Sequence, residues 1–535
     1  MVHRIPYPSI TLKPVLVLVV VSLLTFLCHL TTIKHYPISW QDEVDIIECG
    51  RFSTYDQHPE WSMNLIPTRP ASMPAPLIHY FGGFVQETLY RNTGSFIAPR
   101  CFAVSGLLFA VALFFVWLRK KGLPPWTTLF SALLLLSDTN VTVGVHWYRL
   151  DMWVMGFTFI NALLVLRCSG KTESIQLKTL FAVGAIMVFQ AFFWLTAVVQ
   201  WPLVFAEVLG LAVSEKWTAK RYLRAALAGL LGMSAALIVF LFPLYGEIKN
   251  TIDSVLTQSE IGRIINRLSF SPSEGSTTGF LQDAVERLLG FIKLILRSPF
   301  IWVGAAIGCF FLRKHPFHFA ALLLSSAVVI STQVYHARVN YLTPLAFLFF
   351  TEGLYQCLTK PKPPCLRYLA IAFLATALSF SFGLSVIALN YFARPLTPEN
   401  TYDALLEKMD TVIGRGPKHV YTFTYDFYHV GRRLGWHMYS FLPSWPESLF
   451  ASEVSAPLLR DLEYIIISDD YKDLTASQTM FLNGQGFFLW KRLELPPDKP
   501  TGLTAHFRKI MYAGGYPSFA IWRKAEQQKP DLNNK

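Results

Sequence analysis

The sequence predicts a mainly α-helical polytopic membrane protein with a small α/β domain after the last membrane helix. Two observations support the membrane part. Hydrophobic residues make up 53% of the 535 residues and charged residues 15%, and the mean hydropathy of +0.37 is higher than a soluble globular chain would have. A third observation, the change of character after residue 392, predicts the separate C-terminal domain.

Segments long and apolar enough to span a bilayer recur through the first 391 residues and predict about eleven helices. They lie at 14–32, 96–118, 125–145, 152–167, 179–197, 199–214, 223–244, 298–312, 317–335, 341–357 and 368–391. The run after Arg4 and Lys13 has no small-residue cleavage site near Cys28, so we expect it to be retained as the first helix and not removed as a signal peptide.

The distribution of Lys and Arg predicts the orientation of these helices. If the N-terminus is cytoplasmic, every inward connection carries at least two cations, as the positive-inside rule requires. The outer face then holds residues 33–95, the turn at 146–151, the loop at 245–297 and everything after 392. The net charge of +12 is therefore a topology signal, and nucleic-acid binding is excluded as a function class.

After residue 392 long apolar runs give way to short alternating segments that read as strands between Pro- and Gly-rich turns. Examples are "KHVYTFTYDF" (418–427), "EYIIISDD" (463–470) and "FAIWRK" (519–524). We therefore divide the chain into a transmembrane domain, 1–391, and a soluble extracytoplasmic α/β domain, 392–535. The seven cysteines show no paired spacing, so no metal or disulfide framework follows from them.

Four carboxylates follow the first helix in the stretch "ISWQDEVDIIECGRF", residues 38–52. Ser39 stands three residues before Asp42, a pattern that predicts a helix start. Asp42 and Glu43 would lie at the mouth of a helix bundle, where ionised groups are costly and usually functional. Such an acid could be a general base or could hold a divalent cation. For Asp45 and Glu48 the favourable helix dipole is explanation enough.

Three further outer segments carry candidate site residues. The turn "HWYRLDM" (146–152) holds His146, Arg149 and Asp151. Asp151 could instead cap the next helix, and Arg149 could be an interfacial cation. The proline-punctuated segment at 69–84 carries His79 and Tyr80 and suits the membrane interface.

The third segment is the late turn "YHARVNYLTPL", residues 335–345, which contains Arg338 and Tyr341. Arginine binds phosphate well through its planar fork of donors, so Arg338 is a candidate for a phosphate ligand. A histidine in this turn, His336, is more simply a structural hydrogen-bonding group.

Together these motifs resemble the GT-C fold glycosyltransferases, and within them the protein mannosyltransferase and aminoarabinose-transferase (ArnT-like) group. The shared features are the Asp-Glu pair, the "P-x-P-L-I-H-Y" entry, the "R-L-D" turn and the late "R-x-x-Y-L-x-P" turn. The resemblance implies that Asp42 is the principal catalytic carboxylate with Glu43 beside it and Asp151 as a second acid. It also implies that Arg338 and Tyr341 lie near the donor phosphate. From their place in the outer segments we add Arg149 as a phosphate-binding candidate and His79, Tyr80 and His146 as residues of the acceptor or interface loops.

One departure from the group concerns metal binding. The aminoarabinose transferases carry a Glu-Lys pair before their Pro-rich stretch, whereas Ala71, Ser72 and Met73 precede it here. A divalent cation is the one cofactor that the carboxylates would suit. The sequence does not identify which residues would be its ligands.

The resulting prediction is an integral-membrane enzyme that moves a sugar from a polyprenyl phosphate to a lipid, glycan or protein acceptor. Nucleotide sugars are absent on the outer face, so a lipid-carried donor fits the orientation. The resemblance implies the bacterial inner (plasma) membrane, with the N-terminus cytoplasmic and the C-terminal domain periplasmic or extracellular. The alternative is a multi-helix transporter or flippase of a lipid-linked or anionic substrate, although no Gly/Pro-broken helices recur in two matching halves. A ligand-sensing protein and a lipid-linked oligosaccharide ligase are further alternatives.

Overall fold

The computed structural model describes most of the chain. The described residues are 12–35, 41–51, 63, 80–146, 149–242, 277–310, 315–331, 336–359, 364–441, 446–450, 452–469, 474–511 and 513–525. Ser39, His79, the proline-rich stretch before it and most of the predicted outer loop 245–297 lie outside these residues. Tyr80 begins a described helix, but its side chain is not among the described ones.

The first 392 residues form a bundle of helices whose positions follow the predicted apolar segments. In chain order they are α1 (Leu12–Leu30), α2 (Gln41–Gly50), α3 (Tyr80–Thr93), α4 (Ile97–Lys120), α5 (Pro125–Leu136), α6 (Thr139–Val145), α7 (Asp151–Arg167), α8 (Glu173–Phe193), α9 (Trp201–Ser214), α10 (Ala219–Leu241), α11 (Thr277–Ile295), α12 (Pro299–Gly308), α13 (Pro316–Ser331), α14 (His336–Val339), α15 (Thr343–Thr359), α16 (Cys365–Phe380) and α17 (Leu389–Phe392). A 3-10 segment, Leu195–Gln200, precedes α9, and a π-helix, Ser381–Ala388, joins α16 to α17.

The structure does not confirm the predicted number of eleven membrane spans. Among the described residues, six helices are long and apolar enough to cross a membrane, or up to eight if each of two bent pairs is one span. Two predicted spans, α7 and α15, have 17 residues each, about 26 Å of helix, which is at the lower end of the length that crosses a hydrocarbon core of about 30 Å. The chain is nevertheless an integral membrane protein by the length and composition of these helices.

One of the bent pairs positions the predicted turn at 146–151. Helices α5 and α6 meet at an angle of 52°, and Asp138 caps the start of α6 by accepting a hydrogen bond from the backbone N–H of Val141 at 3.0 Å. Helix α6 ends at Val145, and Asp151 is the first residue of α7. The turn therefore lies between two helix ends whose directions the bundle fixes.

Glycines allow α2 and α3 to pack backbone against backbone. A Cβ added to Gly83 would lie 2.5 Å from the carbonyl oxygen of Ile46 and 2.6 Å from the nitrogen of Gly50. A side chain at this position would therefore force the two helices apart. The contact fixes α2, which carries the acidic cluster, against the α3 scaffold.

The C-terminal part contains a five-stranded mixed sheet with helices around it. The strands are β1 (His419–Thr422), β2 (His437–Tyr439), β3 (Tyr464–Ser468), β4 (Phe487–Leu493) and β5 (Phe519–Lys524), in the order β2-β1-β3-β5-β4. β1 is parallel to β2 and β3, and β5 is antiparallel to β3 and β4. The helices are α18 (Tyr402–Val412), α19 (Tyr428–Leu434), α20 (Ser452–Asp461), α21 (Ala476–Gly484) and α22 (Gly502–Met511).

Helix α2 lies between the bundle and the sheet region and contributes to both cores. Ile46 belongs to the large apolar cluster of the bundle. Val44 and Ile47 instead belong to a cluster with side chains of the C-terminal part, Tyr428 and Val430 among them. All three α2 residues are fully buried, so α2 is an internal layer and not a surface helix.

Candidate active site

A chain of alternating charges begins at the first turn of α2. The guanidinium of Arg149 donates a hydrogen bond to a carboxylate oxygen of Asp42. Through its Nε it also donates to Asp151 at 2.6 Å, and Nη2 lies 3.4 Å from the other oxygen of Asp151. Arg149 is therefore shared between the two acids that the sequence analysis singled out.

Exposure distinguishes the two carboxylates. The side chain of Asp42 is 28% exposed, against 4% for Asp151 and 1% for Arg149. Asp42 thus has the accessible carboxylate of the three-residue chain, whereas Asp151 lies behind Arg149. A carboxylate that must accept a proton from an incoming substrate needs this access.

Asp151 is held from its other side by Tyr341. The Tyr341 hydroxyl donates to Asp151, and it lies 2.6 Å from the hydroxyl oxygen of Thr196. Burial, together with the negative charge of Asp151, raises the pKa of Tyr341 well above its ordinary value. The phenol therefore stays protonated and serves as a donor to Asp151.

Arg338 completes the cationic part of the site. It is 4% exposed and lies within electrostatic range of Arg149, Asp42, Asp151 and Tyr341. Burial, followed by the positive charge of Arg149, lowers the pKa of Arg338 to about 9 against the opposing effect of its acidic neighbours. Two guanidinium groups so close together favour an anion, which relieves their repulsion.

Neighbouring elements fix this arrangement. The guanidinium of Arg149 lies 4.8 Å from the ring centroid of Trp194, a cation–π contact at the end of α8. The amide of Asn340 donates to the carbonyl oxygen of Asn140 at 3.1 Å and so ties the late turn to α6. The amide nitrogen of Asn340 is also only 2.9 Å from where a Cβ on Gly144 would lie, so the turn packs closely on this glycine.

Glu43 faces away from this cluster. Its two carboxylate oxygens accept hydrogen bonds from Nε and Nη2 of Arg100, both at 2.9 Å, and Nε2 of His429 is 2.8 Å from one of them. Burial raises the pKa of Glu43, but the charges of Arg100 and then His429, with their hydrogen bonds, outweigh burial and lower it to about 2. Glu43 is thus an ionised residue at the junction of bundle and sheet region.

His146 also has a partner on another side. Its Nε2 is 2.9 Å from Nδ1 of His29 near the end of α1, and both rings are buried. The structure therefore brings together Asp42, Arg149, Asp151, Arg338 and Tyr341, and gives Glu43 and His146 contacts elsewhere.

Sequence reasoning missed four side chains that hold the site together. Trp194 and Thr196 lie in a segment that reads as one continuous membrane span, although a tryptophan near a span end is an interfacial signal. Arg100 is hidden in the apolar helix α4. His429 is separated from Glu43 by 386 residues, and no local pattern joins the two.

The comparisons with known proteins confirm the GT-C part of the predicted fold. No family model matches the chain, and no curated protein matches it by sequence. ArnT from Cupriavidus metallidurans, solved in complex with undecaprenyl phosphate, matches with a TM-score of 0.59 over 96% of this chain and 98% of ArnT, at 12% identity. Arabinofuranosyltransferase AftD from Mycobacteria matches with a TM-score of 0.53 over 95% of this chain and 40% of AftD, also at 12% identity. Both are GT-C glycosyltransferases, so the chain has the GT-C fold.

Proposed function

We propose that the chain is an integral-membrane glycosyltransferase that moves a sugar from a polyprenyl-phosphate donor to a lipid, glycan or protein acceptor on the outer face of the membrane. The observation that carries this proposal is the Asp42 carboxylate, partly exposed beside the buried guanidinium groups of Arg149 and Arg338. A base next to a phosphate-binding site is what this transfer requires. The GT-C fold, and the undecaprenyl phosphate bound to ArnT, support the donor class.

The reaction is a single displacement at the anomeric carbon. The acceptor hydroxyl or amine attacks that carbon while its proton passes to the carboxylate of Asp42. The bond between the anomeric carbon and the phosphate oxygen breaks, and the electron pair leaves with the polyprenyl phosphate. One displacement of this kind inverts the configuration of the sugar.

We assign Asp42 as the base because its carboxylate is both accessible to an acceptor and held in a fixed orientation. Arg149 holds one of its oxygens, and the partial exposure of the side chain leaves room for an acceptor. Asp151 and Tyr341 act through Arg149 and are positioning residues. They hold the guanidinium at a fixed place in a buried site, where such preorganised charges are more effective than in water.

The two arginines of the site would stabilise the leaving group. A departing polyprenyl phosphate gains negative charge, and Arg338 with Arg149 offers donors and positive charge to its oxygens. Arg338 adds a second buried positive charge beside Arg149, which is itself bonded to two acids.

The described residues do not suit a divalent metal at this position. No group of three His, Cys, Asp or Glu side chains among them converges on a common point, and Arg149 occupies the space between the two carboxylates that would be the natural ligands. We therefore propose a mechanism in which the arginines stabilise the phosphate, and derive no step through a metal.

The substitution Asp42→Asn tests the proposed base. Asparagine keeps the shape of the side chain and can still accept from Arg149, but it cannot take a proton. We expect kcat for transfer from a polyprenyl-phosphate sugar to fall by about 10² to 10⁴, with insertion into the membrane unchanged. Mass spectrometry of the lipid-linked sugar and the glycosylated product measures the turnover.

Asp45→Asn is the matched control, since Asp45 lies on the same helix and is also only partly buried. We expect it to keep turnover within about twofold of the wild type. Wild-type turnover by Asp42→Asn would show that Asp42 is not the base.

A further inference from the structure

We infer that α19 of the C-terminal part positions α2 and the base it carries, and that His429 is a positioning residue for Asp42. The inference rests on the proposed function, since it concerns the same carboxylate. It extends that function by giving the sheet region a direct part in the reaction.

Three fully buried carboxylates of α2 and α3 accept hydrogen bonds from three residues of α19. Nε2 of His429 lies 2.8 Å from an oxygen of Glu43. The Tyr428 hydroxyl donates to Glu48. Arg432 donates to both oxygens of Glu87, with Nη1 at 2.7 Å and Nη2 at 2.9 Å. All three acids are 0% exposed.

Glu43 is the central member because it is adjacent to Asp42 in the chain. The bundle holds it through Arg100, which forms a two-pronged contact and also donates to the carbonyl oxygen of Ile33 at 2.9 Å. The sheet region holds it through His429. A residue held from both sides in this way cannot rotate about the helix axis, and neither can its neighbour.

The His429 ring is itself fixed by aromatic packing. It stacks on Phe96 with a centroid distance of 4.5 Å and an interplanar angle of 17°. Tyr90 lies nearly parallel to the ring with a centroid distance of 6.2 Å. Both aromatic residues come from the α3–α4 region, so the imidazole is inserted into the bundle and not laid on its surface.

Apolar packing also holds α2 in place. Val44 and Ile47 of α2 share a core with Tyr428 and Val430 of α19, while Ile46 on the same helix faces the bundle core. Loss of the α19 contacts would therefore leave one side of a ten-residue helix without its packing partner. A helix this short is marginal without tertiary contacts.

Movement of α2 would slow catalysis because it displaces the proposed base. A displacement of about 1 Å at a reacting group can reduce the rate by about 10². We expect substitutions of His429 to lower kcat by displacing Asp42. They should leave donor binding nearly unchanged, because Arg338 belongs to α14 on the bundle side and Arg149 keeps its contacts with Asp151 and Trp194.

The test compares His429→Ala, His429→Gln and Arg433→Met in the full chain. Glutamine can place an amide N–H near the position of the imidazole Nε2 and donate to Glu43. His429→Gln should therefore keep part of the exchange protection of α2 and part of kcat. Arg433 is the matched control, because it is on the same helix and donates to the carbonyl oxygen of Gly94 at 2.8 Å. Hydrogen exchange followed by mass spectrometry reports on residues 41–50, and steady-state kinetics separates kcat from KM.

For His429→Ala we expect faster exchange in α2, unchanged exchange in α4 and α7, and kcat lower by about tenfold or more with the donor KM within about twofold. For His429→Gln, the exchange rate in α2 and kcat should lie between those of His429→Ala and the wild type. Arg433→Met should match the wild type in both. Unchanged exchange in α2, or equally faster exchange in every helix, would overturn the inference. Exchange is measured without substrate, so this result stays separate from a failure of the Asp42→Asn test.

Discussion

At the scale of single residues, the site depends on how charge is shared. Arg149 serves two carboxylates at once, so it holds Asp42 in place while its own charge is nearly balanced. Arg338 differs from it, because burial and the positive charge of Arg149 lower the pKa of Arg338 to about 9. Arg338 is still charged at neutral pH, and an anionic phosphate beside it would stabilise this charged form further.

We expect the KM for the polyprenyl-phosphate donor to rise as the pH increases through about 9. A base with a lowered pKa is charged below that pKa and neutral above it, and a neutral guanidine attracts a phosphate less strongly. Arg338→Gln should show a raised donor KM at neutral pH and no such rise near pH 9. Initial rates at varied donor concentration between pH 7 and 10 measure both effects. A wild-type KM that is constant over this range would contradict the lowered pKa, and an unchanged donor KM in Arg338→Gln would contradict the phosphate role.

The sequence allowed the residues of the site to be named but not their contacts. The outward topology of three short segments predicted that Asp42, Arg149, Asp151, Arg338 and Tyr341 lie on one face, and the structure brings them together. The resemblance ranked Asp42 above Glu43, but the sequence could not show that Glu43 faces another element, because adjacent residues on a helix point about 100° apart and only the surrounding elements decide which points where. Glu48, which we explained by the helix dipole alone, is fully buried and bonded to Tyr428.

At the scale of elements, the contact between α2 and α3 determines where the acidic helix lies. The close approach at Gly83 and Gly50 fixes the depth of α2 in the molecule, and α19 fixes its rotation. The site therefore depends on glycines that contact no substrate.

Substituting Gly83 by alanine tests this packing. We expect Gly83→Ala to destabilise the protein by about 1–3 kcal/mol, because the methyl group would collide with the backbone of α2. Gly210→Ala in α9 is the control, since a Cβ there would meet open space and alanine favours a helix over glycine. Thermal unfolding in detergent measures both, and equal midpoints for the two variants would contradict the packing argument.

Helix positions were more predictable than span number or strands. Apolar runs locate the helices, but only tertiary packing shows that α15 is almost wholly buried over much of its length and that α11 and α12 meet at 99°. Three of the five strands lie in segments that the sequence predicted. β2 was missed because it has three residues, and β4 because a bulge near Trp490 interrupts its alternation.

At the scale of the whole molecule, the proposal needs the sheet region and the base on the outer side. The described structure fixes their relation to each other through the α2–α19 contacts, while the orientation in the membrane rests on the Lys and Arg pattern. A labelling experiment can separate these two arguments.

We expect the new thiol of Lys491→Cys, at an exposed position on β4, to react with a membrane-impermeant maleimide on intact cells. Cys365 at the start of α16 is exposed and follows a predicted cytoplasmic connection, so it should react only after the membrane is permeabilised. Two variants in which the remaining cysteines are replaced by serine make the comparison. Labelling of both positions from the same side would contradict the proposed topology.

The bond between Glu43 and His429 also has a consequence for the time course of synthesis. The two residues are 386 positions apart, and a ribosome that adds about 5 to 20 residues per second needs roughly 20 to 80 s to cover that distance. During this interval the nascent chain already contains Asp42 but lacks the helix that locks it. The proposed base would therefore be held in place only after α19, in the last quarter of the chain, has been made and folded.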